Sequence, residues 1–174
     1  MAVPSDTLRE LFVTGLTNAH AVEKQALSIM TPQVSRIVNY PEVADRLRLH
    51  IDETDAQIAR LDEILADFAT TGSTLKDLGL SMSGSMAAIV HSAAGDEIVK
   101  NSFANYAFEH FEIAAYKSLL VLAEDGGFAK AIPLLQQSLS EEEAMAAWID
   151  ESLPMVTRRY AGLYAEAGSI TAKV

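Results

Sequence analysis

The sequence predicts an all-α protein built as a bundle of four long helices. Alanine, leucine, glutamate and isoleucine dominate the long segments, and alternating valine runs typical of strands are absent. Apolar residues recur instead at intervals of three and four, as in a helix with one buried face. Glycine and proline stand between these segments, where they separate one helix from the next. We expect the 174 residues to form a single domain, 1–174.

The first two helices are predicted on either side of Pro41. The first starts at a cap near Ser5 or Asp6, and Pro32 is expected to end or kink it. The second opens after Pro41 and runs to about Thr70. The buried face of the first helix is predicted to be Phe12, Leu16, Ala19, Glu23, Ala26 and Met30. That of the second is Val43, Leu47, His50 or Ile51, Thr54, Ile58, Leu61, Leu65 and Phe68.

The third and fourth helices are predicted at about residues 96 to 124 and 128 to 153. Gly126-Gly127 between them is typical of a helix C-cap and a turn. Pro154 is expected to break or kink the fourth helix, so Met155 to Ala167 is predicted as an extra C-terminal helix. The buried face of the fourth helix is predicted to be Leu135, Leu139, Glu142, Ala146, Ile149 and Leu153.

The lengths of the connections predict how the helices are joined. The first pair and the last pair of helices have short connections, which favour antiparallel hairpins. The second and third helices are separated by 25 residues, 71 to 95, rich in serine, glycine and methionine, with a short helix predicted at 82–92. This segment can run the length of the bundle. One long crossover at this place is the ferritin-like arrangement, whereas an up-and-down bundle would not need it.

The charge of the chain indicates which partners to expect. The net charge is −11, and such an acidic surface repels nucleic-acid phosphates and anionic lipid. No apolar run approaches the roughly 20 residues of a membrane span. The N-terminus lacks a basic stretch followed by an apolar core, so we expect no signal peptide and a cytoplasmic location. Because cysteine is absent, thiolate metal sites and cysteine nucleophiles are excluded.

Two carboxylates interrupt the apolar faces of the bundle helices. Glu23 lies between Ala19 and Ala26 on the first helix, and Glu142 has an equivalent place on the fourth. An ionised carboxylate buried alone is costly, so such a group is usually paired or bound to a metal ion. Two inward carboxylates on different helices therefore suggest a shared ion.

The middle two helices add further candidate ligands. His50 and Glu53 share a face of the second helix, and Glu109 and Glu112 share a face of the third. Carboxylate-rich ligation with an imidazole suits iron or manganese better than zinc or copper, and helical bundles can hold such metals in pairs. The sequence therefore predicts a dinuclear iron or manganese site. Its predicted ligands are Glu23, His50, Glu53, Glu109, Glu112 and Glu142.

A structural interpretation of the same residues stands beside this one. A mid-helix glutamate is most often solvated, and His50 and His110 can be core histidines rather than ligands. Gln57 and Tyr116 are interpreted as packing or supporting residues. In this alternative the chain is a helical interaction protein without a functioning metal centre. Its buried carboxylates would then specify how the helices pair.

Several motifs follow one another along the chain and carry a family likeness. They are TLRELF at 7–12 with VEKQ at 22–25, HIDETDAQI at 50–58, FEHFEIAAY at 108–116 and LSEEE at 139–143. Together they resemble the YciE/YciF stress-protein family of ferritin-like proteins, over about residues 6 to 153. The resemblance implies a ferritin-like bundle, a homodimer, a bacterial cytoplasmic setting, a link to stress and a di-metal centre that could react with peroxide or oxygen. It implies no established enzymatic reaction.

The chain departs from the broader di-iron pattern, which has E-x-x-H on the second and fourth helices. The second helix carries His50-Ile51-Asp52-Glu53, in reversed order, and the fourth has Met145 where the histidine would stand. The identity and number of the metal ions therefore stay open at this point.

Overall fold

The computed structural model describes residues 3–68, 95–172 and 174, and this part of the chain contains α-helices and no strand. The helices are α1 (Ser5–Arg36), α2 (Pro41–Phe68), α3 (Glu97–Gly126), α4 (Ala131–Ala167) and α5 (Ser169–Ala172). The all-α prediction and the four long helices are confirmed. The short helix predicted at 82–92 lies outside the described residues.

The four long helices form a bundle in which each packs against two others. α1 contacts α2 and α3, and α4 contacts α3 and α2. Phe12, Leu65 and Leu119 share one hydrophobic cluster, so the start of α1 meets the ends of α2 and α3. A second cluster joins the opposite ends of the same helices. The end of α2 and the start of α3 therefore lie at opposite ends of the bundle, which is the ferritin-like connectivity.

The boundaries of the helices follow from local chemistry. Pro41 is the first residue of α2. Proline suits this position because the N–H that it lacks would have no hydrogen-bond partner within the helix. Gly127 caps the C-terminus of α3, and its φ of 72° is left-handed and suits glycine. The N–H of the next residue, Phe128, returns to the carbonyl of Ala123 at 2.8 Å and closes the turn. The sequence signals for these two boundaries are thus confirmed.

Two prolines that were expected to disturb their helices lie inside them. Pro32 is within α1, and Pro154 is within α4. Each removes one hydrogen bond, to the carbonyl four residues earlier, on Ser28 or Asp150. Both of those residues are exposed, so water can bind the freed carbonyl. The separate helix predicted at 155–167 was therefore wrong: this segment is the end of α4, and the extra C-terminal helix is the four-residue α5.

Apolar side chains gather at both ends of the bundle. At one end Phe12, Phe68 and Phe128 form a ring cluster with centroids 4.8 to 5.4 Å apart. At the other end Met30, Leu47 and Ile149 belong to the second cluster. None of the helices in the described ranges has both the length and the apolar character that a membrane crossing requires. The layer between the clusters is polar, and it is the candidate site.

Candidate metal centre

The central layer of the bundle is built from acidic side chains and one histidine, contributed by all four long helices. Its members, called the central layer from here on, are Glu23 from α1, His50 from α2, Glu109 and Glu112 from α3, and Glu142 from α4. Each is at most 2% exposed. Since each occupies a position on the inward face of its helix, burial follows from helical periodicity.

His50 of α2 lies next to carboxylates of α3 and α4. Its Nε2 atom is 3.1 Å from Glu109 Oε2 and 3.7 Å from Glu142 Oε2. The ligand atoms of these three residues all lie within 4.8 Å of one another. A single ion could therefore contact a nitrogen and two carboxylate oxygens, one from each of α2, α3 and α4.

The other ring nitrogen of His50 faces Glu53. The distance from Nδ1 to Glu53 Oε2 is 2.9 Å, and Arg46 Nη1 donates to the same oxygen at 2.9 Å. Glu53 is 23% exposed and lies outside the central layer. Five of the six predicted ligands thus come together, whereas Glu53 is placed behind the imidazole. A carboxylate in this position fixes the orientation of a histidine ring.

Two further side chains orient carboxylates of the central layer. The Tyr116 hydroxyl donates to Glu23 Oε1 at 2.5 Å. Gln57 Nε2 donates to Glu142 Oε1 at 2.5 Å and to Glu141 Oε2 at 3.1 Å. Gln57 is fully buried where the sequence predicted Ile58 on the inward face. The contacts of Gln57 and Tyr116 agree with the supporting role that their places in the sequence predict.

Arg46 and Arg60 complete this support and were not found from the sequence. Arg46 binds Glu53, and Arg60 binds Glu141, which in turn accepts from Gln57. Nothing in the local sequence distinguishes these arginines from solvated ones on a helix surface. Only the packing of α2 against α4 shows that Arg60 anchors a partner of Gln57.

Burial shifts the protonation of the central layer. Desolvation raises the pKa of Glu23 to about 7, against the lowering effect of the Tyr116 hydroxyl. Desolvation and neighbouring carboxylates also raise the pKa of Glu112 and of Glu142 far above the usual range. Burial acts to lower the pKa of His50, but the contacts with Glu109, Glu53 and Glu142 outweigh it and raise the pKa to about 10. Without a cation, the layer therefore retains protons.

Several oxygens in the layer have no hydrogen-bond donor within the described residues. They include Glu23 Oε2, both oxygens of Glu112 and Glu142 Oε2. Buried acceptors normally have partners, so this set needs either protons on its own carboxyls or a cation among them. Carboxylate oxygens with one imidazole are ligands that iron and manganese accept. The residues of the layer thus fit a bound metal of this class.

His110, the other histidine that the sequence singled out, lies away from the layer. It is exposed on α3, with its ring edge-to-face against Tyr106 at 4.5 Å between centroids. One residue along a helix rotates a side chain by about 100°, which turns His110 outward while Glu109 points inward.

Comparisons with known proteins extend the fold assignment. A family model described as a domain of unknown function (DUF892) matches residues 7–162. Protein YciF of Escherichia coli K12 is 28% identical over 144 residues, which are 79% of this chain and 85% of YciF. The crystal structure of YciF, described there as a stress protein, has a TM-score of 0.70 at 25% identity and covers 84% of this chain and 94% of its own.

Two further structures share the architecture. A protein from Xanthomonas campestris pv. campestris has a TM-score of 0.74 at 32% identity, covering 92% of this chain and 98% of its own. A bacterioferritin from Desulfovibrio desulfuricans, described with a diiron site, has a TM-score of 0.66 at 16% identity, covering 98% and 90%. The second likeness shows the ferritin-like fold alone.

Proposed function

This chain belongs to the DUF892 family, and on that premise we propose that it is a ferritin-like metal-binding protein whose central layer holds iron or manganese. His50, Glu109 and Glu142 would bind one ion. Glu23 and Glu112 lie in the same layer and would serve a second, so the proposed centre is dinuclear.

The observation that carries this proposal is the group of buried carboxylates with oxygens that have no hydrogen-bond donor in the described parts of the chain. A bundle could satisfy buried acids with arginine or lysine, yet the described part of the layer brings only one basic side chain, His50, among four carboxylates. A divalent cation supplies the charge that would balance them. Partners such as Tyr116 and Gln57 fix individual oxygens and leave others free for coordination.

The surrounding residues would control the centre. Glu53 would hold the Nδ1 proton of His50 and keep Nε2 turned toward the layer. The apolar clusters above and below would exclude bulk water. A bound iron or manganese ion would supply one-electron chemistry with peroxide or oxygen. The description of Escherichia coli YciF as a stress protein supports a role in the bacterial stress response. A cytoplasmic location and a homodimer belong to the proposal through the resemblance of the sequence motifs to that stress-protein family.

The test is metal content and thermal melting of protein purified without a metal-affinity tag. After anaerobic addition of ferrous iron or manganese, we expect about two ions per chain and a melting temperature that rises with metal concentration, because a ligand that binds only the folded state stabilises it. The matched pair is Glu142→Gln and Glu143→Gln. Glu143 is the next residue, half-exposed and paired with Lys117.

Only Glu142→Gln should lose metal and the thermal shift. Equal metal content in the two variants would remove Glu142 from the site. If the unmodified protein bound neither metal, the buried carboxylates would be structural, and the chain would be better described as a helical interaction protein.

A further inference from the structure

A row of buried polar residues leads from the central layer to one end of the bundle. Glu97, Asn101, Asn105 and Glu109 occupy every fourth position of α3, so they share one face of that helix. Their exposed fractions are 2%, 9%, 7% and 2%. Gln33 and Arg36 of α1 lie against this row. We call the set Arg36, Gln33, Glu97, Asn101 and Asn105 the α1/α3 polar seam.

The middle of the seam is a pair of amides. Gln33 Nε2 donates to Asn105 Oδ1 at 3.2 Å, and Asn105 Nδ2 donates to Gln33 Oε1 at 3.0 Å. The pair is satisfied internally, so it adds polar atoms to the interior without leaving buried groups unpaired. Around it the second hydrophobic cluster is apolar. The amides therefore place polar oxygen atoms next to the second hydrophobic cluster.

A small cavity separates the amides from the central layer. It has a volume of about 10 Å³ and is lined by Ala26, Ile29, Met30, Asn105, Phe108 and Glu109. This volume is at the lower limit of what can hold one water molecule, and Asn105 and Glu109 supply polar atoms on its wall. This cavity thus connects Asn105 of the amide pair with Glu109 of the central layer.

The outer end of the seam is closed by an ion pair. Arg36 Nε donates to Glu97 Oε1 at 2.7 Å, and the arginine side chain is 36% exposed. Glu97 Oε2 is buried and has no hydrogen-bond donor among the described residues. A carboxylate with a free oxygen behind a half-exposed arginine can receive a cation from solvent when the arginine swings outward.

We propose that divalent metal ions reach the central layer through the α1/α3 polar seam, from Glu97 past the Gln33–Asn105 pair to Glu109. The inference rests on the proposed function and adds the route by which the site fills. An ion that enters a buried site exchanges its water ligands for protein oxygens. The seam provides such oxygens one after another between the surface and the central layer. An ion can pass only when the hydrogen bonds between Gln33 and Asn105 break. Native proteins undergo local openings of this kind.

The test is the rate of metal loading, measured separately from the amount bound. Full-length protein stripped with chelator is mixed with Co²⁺, whose visible absorption changes when carboxylate and imidazole replace its waters. The variant carries Gln33→Leu and Asn105→Leu together, which removes both partners of a hydrogen-bonded pair and so leaves no unpaired amide. We expect an unchanged final absorbance and a loading rate lower by about tenfold, because the ion loses its oxygen partners on the way.

Two single variants keep the test decisive. Glu97→Gln retains a group that can accept from Arg36 but removes the charge at the mouth, so it should also slow loading even if the double variant fails to fold. Thr54→Val is the control: Thr54 is fully buried, and its hydroxyl donates to the His50 carbonyl of its own helix, at 2.8 Å. Its loading rate should equal that of the unmodified protein.

The outcomes separate the two proposals. If the unmodified protein loads Co²⁺ and both seam variants load at its rate, the route is wrong while the metal centre stands. A seam that only fixes the pairing of α1 with α3 would lower the melting temperature of the variants without changing the loading rate, and this too would overturn the route. If the unmodified protein takes up neither Co²⁺ nor manganese or iron, the centre and its route both fail.

Discussion

The aromatic end of the bundle and the central layer bury side chains of opposite character, apolar at the end and acidic in the layer. At the aromatic end Phe12, Leu16 and Leu119 are at most 2% exposed and belong to one hydrophobic cluster. Two to three helical turns away, Glu23 and Glu112 are buried as deeply, among other acids. The same four helices therefore carry a layer that drives folding and a layer that opposes it.

The contrast teaches where stability and function lie in this fold. Apolar burial stabilises by about 25 cal/mol for each Å² removed from water, so the ends of the bundle can compensate for a costly middle. Carboxylates that lack donors lower the stability of the metal-free protein, and sites of this kind are retained when function needs them. Mutations in the two regions should consequently change stability in opposite directions.

The largest effect is expected for Phe12→Ala at the aromatic end. The Phe12 ring stacks on Phe128 at 4.8 Å and meets Phe68 edge-on at 5.4 Å. Its removal leaves a cavity that three helices surround, and we expect a loss of about 3–5 kcal/mol in the free energy of unfolding. Urea unfolding in the presence of chelator measures it.

The neighbouring residue provides the control for this change. Leu11→Ala, at a side chain that is 50% exposed, should change stability by no more than about 0.5 kcal/mol. A small effect of Phe12→Ala would mean that the aromatic end does not carry the stability of the bundle.

Glu112→Leu in the central layer is expected to raise the free energy of unfolding, whereas Phe12→Ala lowers it. Both Glu112 oxygens lack hydrogen-bond donors among the residues that the structure describes, and desolvation with repulsion from Glu23 and Glu142 raises the pKa of Glu112 well above the usual range. A leucine of similar volume removes this cost, so the metal-free protein should gain about 1–2 kcal/mol. The same variant should lose the melting shift that manganese or iron gives. Urea unfolding in chelator and melting with metal measure the two effects.

A destabilised Glu112→Leu variant would contradict this view of the central layer. It would show that the Glu112 carboxyl makes interactions that hold the metal-free bundle together. Glu112→Gln helps to interpret either result, because it keeps the polar group but cannot carry charge. It should gain less stability than the leucine variant.

The sequence predicted the fold better than it predicted the details of the site. Helical periodicity and the signals at Pro41 and Gly127 place the starts of the four long helices and the ends of α2 and α3 to within a few residues, because these signals act locally. Glu23 and Glu142 stand out because each replaces an apolar residue on an inward face. Proline at 154 misled the prediction, since tertiary packing on both sides of it keeps α4 continuous.

The parts that sequence analysis did not find depend on contacts between helices. Glu53 shares a face with His50, but only the structure shows that it lies behind the ring instead of beside it. Likewise, Gln33 and Asn105 are ordinary polar residues until α1 and α3 are paired in register. Periodicity identifies the side of a helix that is buried, whereas the partner of a buried polar group follows from packing.

The smallest expected effect concerns an exposed pair that serves as a reference for the buried layer. Glu42 accepts from Arg159 Nη1 at 2.6 Å and from Nη2 at 2.9 Å, and it is 53% exposed. The Arg159 guanidinium also lies 5.8 Å from the centre of the Tyr40 ring. The hydrogen bonds from Arg159 lower the pKa of Glu42 from 4.5 to about 2.

The sign of the pH effect follows from this lowered pKa. An acid whose pKa is lower in the folded than in the unfolded state stabilises the fold above its unfolded pKa and loses that effect as pH falls to the folded value. The melting temperature of the unmodified protein should therefore exceed that of Glu42→Gln by at most a few degrees at pH 6, because solvent screens the pair. The difference should shrink between pH 4.5 and about 2 and at high salt. A difference that persists at pH 2 would show that the Glu42 side chain acts through packing and not through charge. The central layer differs in kind, since burial raises the pKa of Glu23, Glu112 and Glu142, whereas the hydrogen bonds from Arg159 lower the pKa of the exposed Glu42.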